Sequence, residues 1–242
     1  MSLPPRDAAP FHKAKVWDLP LRLFHWLLVL AVLVAYVTGE WGGAEYADWH
    51  ARSGEAILGL LVFRLLWGFI GPETARFASF WPTPARLRAY FAKRWQGAGH
   101  NPLGAFAVIA LLGVLAAQVG TGLFANDDIA FTGPLASLVS KARSDALSGW
   151  HQRLFYALAA LVLLHVAAIA FYEVFLKKRL VLPMLSGRKA LSAVIVAPRL
   201  ARRPLALVIA VLAAGVAVWV VVGGIRAPDA IAAPPPAATP AW

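Results

Sequence analysis

Four of the six histidines, His25, His50, His151 and His165, fall within or at the edge of long apolar runs. A bare imidazole in hydrocarbon is costly, and polar side chains at membrane depth usually serve a function. His151 and His165 stand fourteen residues apart in GWHQRLFYALAALVLLHVAAIAF. On an α-helix that spacing is about 40° short of four full turns and about 21 Å of rise, so both rings face the same way at opposite sides of a bilayer. One such helix can ligate two stacked metal centres. His25 and His50, each near the start of another apolar helix, can supply the opposing ligands. Two centres with nitrogen ligands and no carboxylate or thiolate nearby suit haem iron better than zinc. The expectation is two bis-histidine haems.

Other residues can support such centres. Arg64 lies fourteen residues after His50, which carries its guanidinium to the deeper haem layer, where its planar fork matches a propionate carboxylate. Arg22, one turn before His25, and Arg153, two residues after His151, are further propionate candidates. A snorkelling or backbone-paired side chain is the lesser reading for Arg64, whereas snorkelling to the membrane surface explains Arg22 and Arg153 at least as well. Gly54, one turn after His50, would let a porphyrin face approach the backbone; helix–helix packing explains this glycine almost as well. Gly113, Gly120 and Gly122 read as packing positions. Glu173, four residues before Lys177, reads as a helix ion pair. Trp17, Trp41, Trp49, Trp81, Trp95 and Trp150 read as an interfacial belt. His12, in the N-terminal arm, and His100, in a basic loop, are not expected to be ligands.

The elements that must position these residues follow from composition. Of 242 residues 60% are hydrophobic and 14% charged, a balance of polytopic membrane proteins rather than of a soluble domain. Apolar runs of spanning length at 19–37, 56–70 (extending back toward His50), 103–124, 150–176 and 204–222 predict five transmembrane helices. Lipid offers the backbone no hydrogen bonds, so the fold class is an all-α polytopic membrane helical bundle. The second run is the weakest, interrupted by Arg52, Glu55 and Arg64. No repeat period is evident.

The net charge of +11 would suggest nucleic acid in a soluble protein, but here the basic residues are segregated by loop. The N-terminal arm and the loops at 76–94 and 177–203 carry most of them. The opposite loops hold only Arg52, Lys141, Arg143 and Arg226. The positive-inside rule then predicts a cytoplasmic N-terminus and a Pro-rich tail on the far side. The first apolar run ends in VTGEWGG without a small-residue cleavage pattern, so it reads as an anchor rather than a signal peptide. The chain has no cysteine, which excludes disulfides, thiolate-held clusters and covalent haem attachment in this chain and leaves non-covalent haem b.

Topology fixes depth. His50 and His151 both begin helices on the non-cytoplasmic side. His25 lies about 7 Å inside the first span from the cytoplasmic end, and His165 lies about 21 Å below His151. The depth pairs are His25 with His165 and His50 with His151. A single histidine on an apolar helix is more often a hydrogen-bonded core residue than a ligand, but two depth-matched pairs are not explained that way.

Taken in order, VWDLPLRLFHW, the Trp49-His50 pair followed by Gly54 and LLVFRLLWGFIGPETARF, then GHNPLGA, the His151 to His165 helix and MLSGRK resemble the bacterial cytochrome b561 and nickel-iron hydrogenase cytochrome b group, over about residues 15 to 190. The resemblance implies a four-helix core with haems between the first, second and fourth helices, and the same ligand pairing. It divides the chain into an arm (1–15), a di-haem domain (16–190), a linker with a fifth helix (191–224) and a Pro-rich tail (225–242), the last two outside the family core.

The expected function is electron transfer across the bacterial inner membrane, between a quinone pool and a redox partner: a periplasmic cytochrome c, a dehydrogenase or a hydrogenase. A second reading is a quinone-reducing superoxide oxidase, which requires a basic, open pocket near the non-cytoplasmic haem; Arg52 and Lys141 are its hints. A proton-relaying transporter or scaffold is a third.

Overall fold

The computed structural model describes residues 11–129 and 131–224, so the expected Pro-rich tail lies outside the described residues. Strand β1 (Phe11–Lys15) leads into helix α1 (Leu19–Glu40), followed by α2 (Ala47–Ile70), two short helices α3 (Phe77–Phe80) and α4 (Pro84–Phe91), α5 (Pro102–Gly122), α6 (Lys141–Val174), the short α7 (Val181–Ser186), strand β2 (Arg188–Ser192) and α8 (Pro204–Trp219). Five helices, α1, α2, α5, α6 and α8, are long and apolar enough to cross a membrane, and the molecule is a helical membrane bundle as expected.

Helix starts are marked locally. Asp18 Oδ1 accepts the Leu21 N–H at 2.9 Å to cap α1, and Asn101 Oδ1 accepts that of Gly104 at 2.6 Å to cap α5. Pro20 and Pro102 sit in the first turns, where a missing N–H costs nothing.

α1 packs along α2; α2 packs also against α8 and, over a shorter stretch, against α5; α5 packs along α6. α6 meets α1 and α2 through isolated side-chain contacts, such as Tyr36 stacked on Phe155 with ring centres 5.8 Å apart. The tightest core lies at one end of the bundle, where Ala14, Val16, Trp17, Phe24, Phe63, Trp67 and Leu191 are buried together. There β1 and β2 pair antiparallel, Phe11 opposite Ser192 and Lys15 opposite Arg188, so the arm is clamped to the segment after α7. Strand β2 runs across the boundary expected at residue 190. Gly187, at φ +77°, turns the chain into β2; a Cβ there would lie 2.8 Å from the Trp17 carbonyl oxygen, a closeness only glycine permits.

Several sequence expectations change. His151 does not begin its helix, because α6 starts ten residues earlier at Lys141. That polar extension carries no apolar signal and is held by tertiary bonds: Ser144 Oγ donates to the Phe124 carbonyl at 2.8 Å and Ser148 Oγ to that of Asn126 at 3.0 Å. The Glu173–Lys177 ion pair does not form. α6 ends at Val174, and Glu173 Oε1 instead accepts the Leu180 and Val181 N–H groups at 2.6 and 2.8 Å, anchoring the start of α7. Trp17 is no belt residue but 7% exposed in the core. The fifth helix packs directly on the second: Ala210 is fully buried, and a Cβ at Gly59 would sit 3.1 Å from Val218 Cγ2.

Candidate functional site

The end of the bundle opposite the strands holds His50 and His151. His50 lies one turn into α2 and His151 ten residues into α6, and their ring centres stand 6.1 Å apart at 82°. Two metal–imidazole bonds of about 2 Å, with the reach from each ring centre to its nitrogen, add up to about that separation. Each ring is oriented from outside. His50 Nδ1 lies 3.0 Å from the Ala35 carbonyl oxygen on α1, and His151 Nδ1 lies 2.9 Å from that of Gln118 on α5. A ring that donates from Nδ1 to a carbonyl presents Nε2 as the ligand, the usual outer support of metal-bound histidine. Gln118 Nε2 lies 3.1 Å from His151 Nε2, so the amide must rotate aside for that nitrogen to bind a metal.

Glycines shape this end. A Cβ on Gly39 would come within 2.8 Å of the His50 ring, and one on Gly122 within 2.8 Å of the His151 ring. A Cβ on Gly54 would meet nothing within 4 Å, which leaves room for a flat group beside His50. Gly113 and Gly120 likewise face open space and are not close packing positions, whereas Gly122 is. Spacing gave no signal for Gly39 or Gln118, because each serves a histidine on a different helix.

The strand end holds the second pair. His25 on α1 and His165 on α6 lie within electrostatic reach of each other, and the His25 Nδ1 is buried without a hydrogen-bond partner. The unbroken α6 delivers His165 fourteen residues below His151, and the unbroken α2 delivers Arg64 fourteen residues from His50. Arg64 is only 2% exposed, so it does not snorkel; its guanidinium sits 4.6 Å from the Phe77 ring centre and its Nη1 is buried and unpartnered. Arg22 donates to the Leu185 carbonyl through Nη1, while its Nε is buried and unpartnered. Arg153 departs from this pattern: it is exposed and lies over the Trp150 ring at 5.3 Å, a surface cation–π contact.

His100 is the residue that sequence reasoning passed over. Far from being a surface loop residue, it lies between Trp17 and Phe80, ring centres 4.6 and 4.7 Å away, with its Nδ1 buried. One edge reaches a cavity of about 410 Å³ lined also by Glu73, Arg86 and Trp95. Burial, with Arg64 and Lys189 beside it, lowers its pKa to about 3, so the ring is neutral. His12 is exposed on β1.

The donor set fits a porphyrin iron: two facing rings whose Nδ1 atoms lie on backbone carbonyls at one end, an unpartnered Nδ1 and the buried Arg64 guanidinium at the other, and an open flank at Gly54. Among the described residues no cluster of three or more His, Cys, Asp and Glu has the arrangement of an all-protein metal site, and axial ligation of a porphyrin uses pairs. A membrane-spanning bundle with imidazoles facing across its interior has the architecture of a membrane b-type cytochrome.

The family model described as prokaryotic cytochrome b561 matches residues 16–187, and the chain belongs to that family. Curated relatives include the probable Ni/Fe-hydrogenase B-type cytochrome subunit of Azotobacter chroococcum mcd 1, 24% identical over 71% of this chain and 86% of the relative, and that of Azotobacter vinelandii, 24% identical over the same shares. The probable Ni/Fe-hydrogenase 1 B-type cytochrome subunit of Escherichia coli (strain K12) is 24% identical over 62% of this chain and 80% of the relative. No solved structure matches the chain. The protein is thus a multi-pass bacterial membrane cytochrome of the haem b type that serves electron transfer.

Proposed function

We propose that the chain conducts electrons across the bilayer between a quinone pool and a redox partner protein, using two bis-histidine haem b groups. His50 and His151 hold one and His25 and His165 the other. The observation that carries this reading is the His50–His151 pair, 6.1 Å apart with both Nδ1 atoms aimed at backbone carbonyls of neighbouring helices. Bound haem iron supplies one-electron chemistry at each end. The chain's own residues set where that happens. Backbone carbonyls of Ala35 and Gln118 hold the ring orientation, and the apolar bundle around them excludes water, both of which tune a haem potential.

The strand end, rich in Lys and Arg, faces the cytoplasm on this reading, and residues 16–190 form the di-haem unit. The partner enzyme class is suggested by the hydrogenase cytochrome subunits among the relatives; cytochrome c and dehydrogenase partners fit the same chemistry. The superoxide-oxidase alternative needs a basic pocket at the far end. There, Lys141 is bound to Asp128 at 2.6 Å and to Asp145, and the recess beside it is lined by Asn126, Asp128 and Phe131. Lys141 therefore does not supply that basic pocket, and of the two residues that hint at it the exposed Arg52 remains.

A reduced-minus-oxidised spectrum with a haemochrome count on purified protein should give two low-spin b haems per chain. His25→Ala and His165→Ala should abolish one haem signal, and His50→Ala and His151→Ala the other. One haem or none, or His25→Ala and His50→Ala removing the same signal, overturns the assignment.

A further inference from the structure

The strand end buries donor groups for which the described residues supply no acceptor. Arg64 on α2 is 2% exposed with Nη1 unpartnered. Lys189 on β2 is partly buried, donates to the Ala98 carbonyl at 3.3 Å, and is held below the usual lysine pKa by burial and by Lys178. His100, in the loop before α5, keeps a buried, unpartnered Nδ1 and lies within electrostatic reach of Arg64, Lys189, His25 and His165 together. The carboxylate acting on Arg64 is Asp18, 7% exposed, whose Oδ1 already accepts from Leu21 N and from Trp67 Nε1 at 3.1 Å. Among the described residues the ion pairs are those of Lys141, at the other end. Buried donors without an acceptor, Arg64 Nη1 and His100 Nδ1 among them, are a costly arrangement unless an acceptor completes them.

We propose that Arg64, His100 and Lys189 form a composite carboxylate site that receives one propionate of the haem held by His25 and His165. This rests on the two-haem reading above and adds two residues to it, from a loop and a strand outside the spanning helices. A single carboxylate supplies the acceptors that these donors lack. The guanidinium provides a planar two-donor face, the neutral imidazole one N–H, and the ammonium a point charge. The three donors come from α2, the pre-α5 loop and β2, so the bound carboxylate ties the capping segments of the strand end to the haem. A phosphate from lipid or solvent shares the anionic chemistry, and the test separates the two sources.

The full-length chain in lipid nanodiscs, in phosphate-free buffer, is compared with Lys189→Gln, His100→Gln and Arg64→Lys by resonance Raman of the haem propionate modes and by redox titration. The variants should keep two haems, shift the propionate modes of the haem that His25→Ala removes and leave the other haem's modes in place, and Lys189→Gln, which removes a positive charge, should lower the midpoint potential of the affected haem. Lys189→Gln, at a partly exposed strand position, keeps the test open if Arg64→Lys fails to fold. Unchanged propionate modes in variants that retain both haems overturn the proposal. So does a potential that follows added inorganic phosphate while the propionate modes stay fixed. Fewer than two haems in the unmodified chain fails the underlying reading, and that is read before any variant.

Discussion

At the scale of single residues, the histidines are set by atoms that other helices bring to them. His50 relies on the Ala35 carbonyl and on Gly39, and His151 on the Gln118 carbonyl and on Gly122. The two kinds of glycine at this end predict loss of the same haem by different routes. Gly122→Ala places a methyl 2.8 Å from the His151 ring; it should displace the imidazole and weaken or abolish the haem signal assigned to His50 and His151. Gly54→Val projects into space where a Cβ meets nothing within 4 Å, so the haem-free chain should fold unchanged while the same haem is lost. Circular dichroism of protein made without haem supply, set beside the haem count of replete protein, checks both. Full haem occupancy in Gly54→Val would place the porphyrin elsewhere.

At the scale of elements, short segments outside the membrane are built by hydrogen bonds that reach between them. α7 begins on the Glu173 carboxylate, and α4 is joined to α6 by a hydrogen bond between Tyr90 and Tyr172, with Asn101 Nδ2 donating to Tyr172 at 3.4 Å. Burial and the Tyr172 hydroxyl raise the Tyr90 pKa from 10.0 to about 12. The folded state therefore keeps the phenol proton to higher pH than the unfolded chain. The stabilisation from this pair is fully present below about pH 10 and is lost as pH rises toward about 12. Thermal unfolding in detergent from pH 8 to 12 should show the gap between the parent protein and Tyr90→Phe closing across that window. A gap that stays constant through it contradicts the raised pKa.

At the scale of the whole molecule, α8 is part of the packed bundle rather than an appendage. Ala210 is fully buried in the cluster that contains Phe63 and Trp67, and Gly59 lets α8 approach α2. Gly59→Leu should push the two helices apart and cost about 1–3 kcal/mol, as overpacking typically does. The haem count should stay that of the parent protein, because Gly59 lies on the α8-facing side of α2. A lower melting temperature with unchanged haem content is the expected result; loss of a haem would mean that α8 supports the cofactor directly. The arm and the segment after α7 close the opposite end as a two-stranded clamp, with Thr74 Oγ1 donating to the Val16 carbonyl at 2.6 Å.

The five spanning helices and the shared level of His50 and His151 are written into the chain, because hydropathy and a fixed 1.5 Å rise per residue act locally and need no partner. Segregated Lys and Arg and the fourteen-residue spacings belong to the same local kind. Contacts between distant segments were decided only by folding. Nothing in the loop around His100 reveals that Trp17 and Phe80 enclose it. Nothing near Glu173 shows that its carboxylate anchors α7 instead of pairing with Lys177. The polar first turns of α6 are helical because Ser144 and Ser148 dock on the α5–α6 connection. Such contacts join residues that no helical or strand period relates, and a linear pattern holds no record of which atom will lie within hydrogen-bond reach.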